Sequence, residues 1–336
     1  MNRARVVAIT PYLPDSVVSN EELATLFPEW TAEKIYSKTG ISERRISAPD
    51  ETAADLAFHA AESLFLSHDI DRSSIDFVLL CTQAPDHILP TTACILQERL
   101  GLRNDIGAMD FNLGCSGFVY GLSLAKGLIE AGTIKRVLLL TADTYTKFIH
   151  PLDKSVRTIF GDGAAATLIE RHSSETSEIG PFIFGTNGAG AKDLIVKTGG
   201  ARLPRILTPA QEYSDNSGNT RSDDHLFMDG AAVMTFTLKV VPNLVASLLD
   251  KANLTIDDID HVVFHQANSF ILEALRKKCQ IPVEKFVVHM RYSGNTVSST
   301  IPIALSSLST SSDKKRKVMV VGFGVGLSWA GTIIDY

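Results

Sequence analysis

The sequence predicts a layered α/β protein assembled from two duplicated halves, residues 1–175 and 176–336, each a sheet covered by helices on both faces. Two observations carry this. Strand-like and helix-like stretches alternate along the chain, the pattern of helices layered on a covered sheet. The chain also echoes itself. "SSIDFVLLCTQAP" (73–85) resembles "DDIDHVVFHQANS" (257–269), and "KRVLLLTADTY" (135–145) resembles "KRKVMVVGFGVG" (315–326). The two offsets, about 184 and about 181 residues, agree well enough to imply one duplicated unit and not a short-period solenoid.

The elements follow in order. "VVAIT" (6–10), "FVLLC" (77–81) and "VLLLTA" (137–142) are short aliphatic runs of the kind buried strands show. Residues 52–68 place Ala53, Leu56, Ala57, Ala60 and Leu64 on one helical face. Residues 231–252 read as a long helix in which Pro242 is a point of kinking. Within the second half, "TPAQEYSDNSGNTRSDD" (208–224) is polar and rich in turn formers, so a surface loop or lid, not a domain linker, is expected there.

Composition narrows the function classes. A chain of 336 residues with 45% hydrophobic and 21% charged residues can bury a large core. A net charge of −6 argues against a nucleic-acid partner. Cys81, Cys94, Cys115 and Cys279 show no C-x-x-C spacing, so neither a disulfide framework nor a zinc site is expected. The first residues turn polar after a short apolar run, unlike a secretory leader. "KKRK" (314–317) before the uncharged run 318–334 imitates a membrane anchor. That run is short for a span and holds Gly322, Gly324, Gly326 and Gly331, so two strands joined by a glycine turn are expected instead. A soluble, cytoplasmic protein without membrane contact follows.

Three residues stand out for chemistry. Cys115, in "NLGCSGF", lies between a strand-like run and a helix start. A helix N-terminus favours a thiolate by about 0.3–1 kcal/mol. One pKa unit is about 1.36 kcal/mol, so the dipole alone cannot bring a thiol well below neutrality, and a base or cation is needed. His265 ends an apolar run at a strand mouth, whereas His261 sits at that strand's start. Asn295 follows Gly294 in a small-residue turn before a helix-like run. Each residue alone also has a structural reading: a buried thiol, a hydrogen-bonded core imidazole, a turn former. The repeat places Cys81 and His265 at corresponding strand ends, which argues for a site fed by both halves.

With these residues in place, the sequence closely resembles the β-ketoacyl-acyl-carrier-protein synthase III family of thiolase-superfamily condensing enzymes. The motifs are "GCSGF" (114–118), "FGDGAAATLI" (160–169), "MDGAAV" (228–233), "HQAN" (265–268), "GNTVSSTIP" (294–302) and "GFGVGLSWAG" (322–331), in family order across nearly the whole chain. The resemblance implies a thiolase-like five-layered αβαβα fold from two similar halves, and a homodimer. It implies that Cys115 takes an acyl group from an acyl-coenzyme A or acyl-carrier-protein donor. Malonyl-acyl-carrier protein then loses carbon dioxide, and the enolate attacks the acyl-enzyme. His265 and Asn295 would donate to the enolate oxygen. The backbone N–H of Cys115 and one from the turn Gly324, Val325 and Gly326 would hold the acyl oxyanion. No metal or redox cofactor is implied.

The chain departs from the family in three places. Where the family carries Trp and Arg for coenzyme A, "KIYSKTGISERRI" (34–46) carries Lys34 and Lys38, and lysine is a poor replacement for planar stacking. Trp30 is near but out of register, so a carrier-linked donor is expected to compete with coenzyme A. Phe270 stands where the family often has an Arg for carrier contact, which leaves Arg276, Lys277 and Lys278 as substitutes. Leu89 matches the residue that crosses the family's dimer interface to line the partner's acyl pocket, and its shape would admit longer or branched chains.

Other functions compete. The order Cys, His, Asn also occurs in papain-like peptidases, but their C-G-S-C-W signature is absent. A related acyltransferase would share the acyl-enzyme and pass the acyl group to an oxygen or nitrogen acceptor. A non-catalytic partner of the same fold would be expected to lack one of the three residues, and all three are present.

Overall fold

The protein is described by a computed structural model covering residues 1–205, 209–308 and 315–336. Thr208 of the polar stretch and Lys314 of the basic run lie outside the described residues.

Two five-stranded sheets form the frame. The first orders Asn2–Tyr12 (β1), Phe77–Cys81 (β2), Gly107–Phe111 (β3), Arg136–Asp143 (β4) and Gly163–Ser173 (β5) as β1-β5-β4-β2-β3. The second orders Ile179–Thr186 (β6), His261–Phe264 (β7), Phe286–Val287 (β8), Lys317–Gly324 (β9) and Ser328–Asp335 (β10) as β6-β10-β9-β7-β8. The two orders match strand for strand, as do the senses of pairing. In each sheet the central pair is parallel: Phe77 opposes Val137 in the first, and His261 opposes Val318 in the second. The duplication legible in the sequence is thus a duplication of topology.

Side-chain alternation along the strands builds the layers. Ala32–Thr39 forms the helix α1. Val78, Leu80, Leu138 and Leu140 point outward to Ala53–Ser67 (α2) and Thr92–Arg99 (α3). Leu79, Val137 and Leu139 point inward, where Gly117–Glu130 (α4) and Thr300–Ser306 (α7) lie between the sheets and meet Val263, Val318 and Val320 from the other side. Val262, Phe264, Met319 and Val321 face the outer helices Gly230–Ala252 (α5) and Ser269–Lys278 (α6). Helix, sheet, helix, sheet, helix: five layers.

The helix ends have local causes. The Thr52 side chain caps α2 and Asp55 reaches back to the Thr52 N–H at 2.8 Å, a reciprocal capping box. Asp229 caps α5 by accepting from the Ala232 N–H at 2.9 Å, and Asn253, in the left-handed region, closes its far end. Helix α5 runs through Pro242 without a break in its span. By length and composition α5 could cross a membrane, but Phe236, Val241, Leu244, Val245 and Leu248 are buried residues of the helix. The run 318–334 forms β9 and β10, joined by a short turn at residues 325–327, as expected. The polar stretch differs in detail from a plain loop, because Tyr213–Ser214 and Thr220–Arg221 pair as a small hairpin.

Candidate active site

The middle helical layer positions the site. Cys115 lies on the bend between β3 and α4, and the Gly117 N–H donates to Gly114 O at 2.8 Å to close that bend. The bend presses against the end of β9. A Cβ at Gly324 would lie 2.7 Å from both Cβ and Sγ of Cys115, so no side chain fits there. The backbone N–H groups of Val325 and of Cys115 itself favour the thiolate, pulling the thiol down against the effect of burial. Both N–H groups are thus near enough to the sulfur to act on its charge, and an acyl oxygen carried there could accept from them.

His265 is the first residue after β7, and its N–H continues the ladder by donating to Val321 O at 2.8 Å. Its ring stands edge-on to Phe323, with centroids 5.6 Å apart. The Nδ1 atom lies 2.7 Å from Thr300 Oγ1. That hydroxyl also reaches Val297 O at 3.1 Å. Directed at Val297, it accepts from Nδ1–H and leaves a lone pair on Nε2; directed at Nδ1, it places the ring proton on Nε2. The contact thus serves a proton-accepting and a proton-donating imidazole alike.

Asn295 is fixed from both sides. Its N–H donates to Ile159 O at 2.9 Å and its carbonyl accepts from the Gly161 N–H at 3.0 Å. Its side-chain Oδ1 accepts from the Val297 N–H at 2.9 Å, which turns Nδ2 toward the site, 3.4 Å from His265 Nε2. Cys115, His265 and Asn295 line one pocket whose walls include Ile159, Phe160, Leu194, Met228, Val233 and Phe270. The wall is apolar apart from the three site groups and a few small polar side chains.

Electrostatics follows from burial. Cys115 is 5% exposed and His265 is 2% exposed. Loss of water pushes the Cys115 thiol up to about 12 and the His265 imidazole down to about 3, the backbone donors at the sulfur only partly offsetting the first. At neutral pH the resting pair is therefore thiol and neutral imidazole, not an ion pair. Because the thiol pKa is raised, the thiolate fraction stays small and grows about tenfold per pH unit. Alkylation of Cys115 by iodoacetamide is expected to rise with that slope from pH 6 to pH 9 without levelling. A plateau below pH 7.5 would mean a resting thiolate and would overturn this account.

Comparison with known proteins agrees with the geometry. Residues 109–188 match the 3-oxoacyl-[acyl-carrier-protein (ACP)] synthase III family and residues 249–336 match the 3-oxoacyl-[acyl-carrier-protein (ACP)] synthase III C terminal. A β-ketoacyl-[acyl-carrier-protein] synthase III of Lactococcus lactis subsp. lactis is 36% identical over 100% of both chains. The chain belongs to the 3-oxoacyl-[acyl-carrier-protein] synthase III family. It is a condensing acyltransferase. A crystal structure of a 3-oxoacyl-(acyl-carrier-protein) synthase III is 55% identical, covers 99% of this chain and 100% of its own, and superposes with a TM-score of 0.97. The priming β-ketosynthase of the R1128 polyketide pathway is 29% identical, covers 99% of this chain and 96% of its own, with a TM-score of 0.84.

Most of the remaining sequence-derived residues lie away from the pocket. Gly324 lines it, whereas Gly326 does not. Lys34 and Lys38, on the helix Ala32–Thr39, each hold their ammonium 5.4 Å from the centroid of the Trp30 ring. Trp30 also packs beside Leu23, Phe27 and Ile35. The indole is thus covered by the two lysines, a use of them that the sequence reading did not foresee. Arg276 is closed on Glu273 at 2.8 Å and on Ile281 O at 2.9 Å, so its guanidinium serves the end of α6 and not an open surface. Lys277 sits 3.2 Å from the same Glu273 with its side chain 69% exposed. Leu89 is 79% exposed and lines no part of the pocket within this chain.

Thr300 and Phe323, both against His265, were not found from sequence. Thr300 is hidden among four consecutive hydroxyl or small residues in "VSST", and only knowledge of where His265 points separates it from Ser298 and Ser299.

Proposed function

We propose that Cys115, His265 and Asn295 carry the condensation. The observation that supports this most strongly is their convergence, from three separate segments of both halves, on one apolar pocket with two backbone donors at the sulfur. In the first half-reaction Cys115 Sγ attacks the donor thioester carbonyl. The thiol proton passes by way of His265 Nε2 to the departing thiol, and the acyl group stays on sulfur. In the second, the malonyl thioester bound to carrier protein loses carbon dioxide. Its enolate oxygen is held by Asn295 Nδ2 and His265 Nε2–H. The enolate carbon bonds to the acyl carbon, the Cys115–acyl bond breaks, and the sulfur regains a proton. The N–H groups of Cys115 and Val325 hold the acyl oxygen in both halves of the cycle.

For the donor, the two ammonium groups held 5.4 Å from the Trp30 ring compete with an adenine for that indole, which supports a carrier-linked thioester over coenzyme A. Lys34, Lys38 and Lys277 remain as exposed cations for an acidic carrier. Pairing as a homodimer is supported by β3, the outermost strand of its sheet, and by Ile88 and Leu89, which are 92% and 79% exposed. Such pairing would put Leu89 of each chain at its partner's pocket. The division into halves at residues 175 and 176 and a cytoplasmic location belong to the same reading.

The test is intact-protein mass spectrometry. Wild-type protein is incubated with acyl-coenzyme A and acyl-carrier donors of graded length, then with malonyl-carrier protein. The expected result is Cys115-dependent mass gain, faster from the carrier-linked donors, and its discharge as a β-ketoacyl product. Acylation that malonyl-carrier protein fails to discharge would point to an oxygen or nitrogen acceptor instead. A strict two-carbon preference would count against a wide pocket at Leu89.

A further inference from the structure

The duplicated fold contains a second copy of the catalytic corner, and the protein has put it to a different use. Cys115 stands two residues ahead of α4, and Ser298 stands two residues ahead of α7. Gly324 closes β9, and Asp143 closes β4. His265 follows β7, and Cys81 closes β2. Thr300 opens α7 and touches His265, while Gly117 opens α4 and leaves room for Cys81, whose Sγ would lie 2.2 Å from a Cβ at that glycine. The contacts correspond as the positions do. Cys115 packs on Gly324, and Ser298 packs on Asp143. In the first corner a glycine lets the Cys115 side chain close directly onto the strand end. In the second the strand end carries a carboxyl group that the Ser298 hydroxyl bonds.

Asp143 is fully buried and accepts from three donors. The Gln83 N–H donates to Oδ1 at 2.8 Å. The Ser298 N–H donates to Oδ2 at 3.2 Å, and the Ser298 hydroxyl donates to the same oxygen. The two partners belong to the two arms of the site. Gln83 reaches the Cys115 arm, its Nε2 donating to Asn112 Oδ1 at 3.1 Å and its Oε1 lying against Gly114. Ser298 is in the turn that carries Asn295 at one end and Thr300 at the other. One side chain therefore spans the two halves directly behind the reacting groups.

We propose that Asp143 is a positioning residue that, through Ser298, holds the Asn295–Thr300 turn in place against the Cys115 arm. It touches no reacting atom; it fixes where Asn295 Nδ2 and the imidazole held by Thr300 stand relative to the sulfur. The inference rests on the assignment of Cys115, His265 and Asn295 given above.

The chemistry of an amide replacement shows where the damage falls. Asp143→Asn keeps size and shape but offers one acceptor and one donor. Gln83 presents only an N–H, whereas Ser298 also presents a hydroxyl that can turn from donor to acceptor. The amide therefore settles with its oxygen on Gln83 and its NH₂ on the Ser298 hydroxyl. The Ser298 N–H is then left without an acceptor in a buried place, and the turn shifts. The Cys115 arm keeps its contact.

The experiment separates the half-reactions at pH 8, above the value of about 7 to which burial pushes the Asp143 carboxyl. Cys115 acylation is followed by intact mass, and decarboxylation of malonyl-carrier protein by release of carbon dioxide. The wild type is run through both, so that failure of the underlying site assignment shows there and failure of the present inference shows only in the variants. For Asp143→Asn, decarboxylation is expected to fall roughly tenfold to a hundredfold, the cost of a displaced catalytic group, with acylation within about threefold of wild type. For Ser298→Ala, which keeps both N–H donors on the carboxylate, decarboxylation is expected to fall about threefold and acylation to stay unchanged. Equal losses in both half-reactions, or an unchanged Ser298→Ala, would overturn the proposal. Should Asp143→Asn fail to fold, the Ser298→Ala split alone decides it.

Discussion

Replacing Cys115 by alanine is expected to abolish the acyl-enzyme and to lower condensation on the order of a hundred-thousandfold to a millionfold, the scale on which loss of a covalent nucleophile is felt. Nothing nearby can take its place. Cys81, the other thiol of the region, is fully buried, donates its S–H to Leu113 O at 2.8 Å and is not among the residues lining the pocket. The variant should nonetheless keep a function. Asn295 and His265 owe their positions to residues 159–161, 297, 300 and 321, none of which depends on the sulfur. Decarboxylation of malonyl-carrier protein without condensation is therefore expected to survive in Cys115→Ala within about tenfold. Mass spectrometry and carbon dioxide release read the two quantities on one sample. Residual acylation in the variant would move the nucleophile elsewhere.

Asn295→Ala and His265→Ala are each expected to slow decarboxylation by about 10²–10³-fold, equivalent to about 2.7–4 kcal/mol for one donor to a developing oxyanion. The double variant should cost less than the product of the two, because both donors face the same oxygen. The variants should differ in the first half-reaction. Asn295 has no part in moving the thiol proton, so Asn295→Ala is expected to acylate at close to the wild-type rate. His265→Ala should be slow in both, and more so toward low pH, where the buried thiol has no other route to lose its proton. If Asn295→Ala lost acylation as heavily as decarboxylation, its assignment to the enolate would fail.

Much of this could be read before any coordinates. The runs at 77–81 and 137–142 became β2 and β4 because aliphatic stretches of that length, flanked by turns, leave little choice in a protein with covered sheets. The helix read at 52–68 runs over 53–67, since Thr52 and Asp55 mark its start chemically. The glycine-rich run near the end became two strands for the reason given by its length. Cys115, His265 and Asn295 were legible because each breaks a local pattern at an element boundary. What could not be read was direction. Nothing in the sequence says that Lys34 and Lys38 turn back onto Trp30, or that Arg276 closes on Glu273. Both depend on side-chain choices made after the backbone is set. Asp143 is masked for another reason. It lies inside a stretch that resembles its counterpart in the second half, and only its difference from the corresponding Gly324 marks it.

The middle helices have a consequence for how the molecule comes into being. The inner surface of the first half, including the outer side of α4, is covered by Val263, Ile301, Leu305, Val318, Val320 and Ile334, all supplied late in the chain. At about 1.5–3 kcal/mol for each buried aliphatic side chain, these six contribute on the order of the 5–15 kcal/mol by which a whole domain is stable. During synthesis the early half thus waits, exposed along one side, until the last strands leave the ribosome. The Val325 N–H, which favours the Cys115 thiolate, likewise comes from the late half of the chain. A chain cut before β9 is therefore expected to lack both this cover and the Val325 N–H, and to take up no acyl group from a thioester donor, which intact-protein mass spectrometry would read.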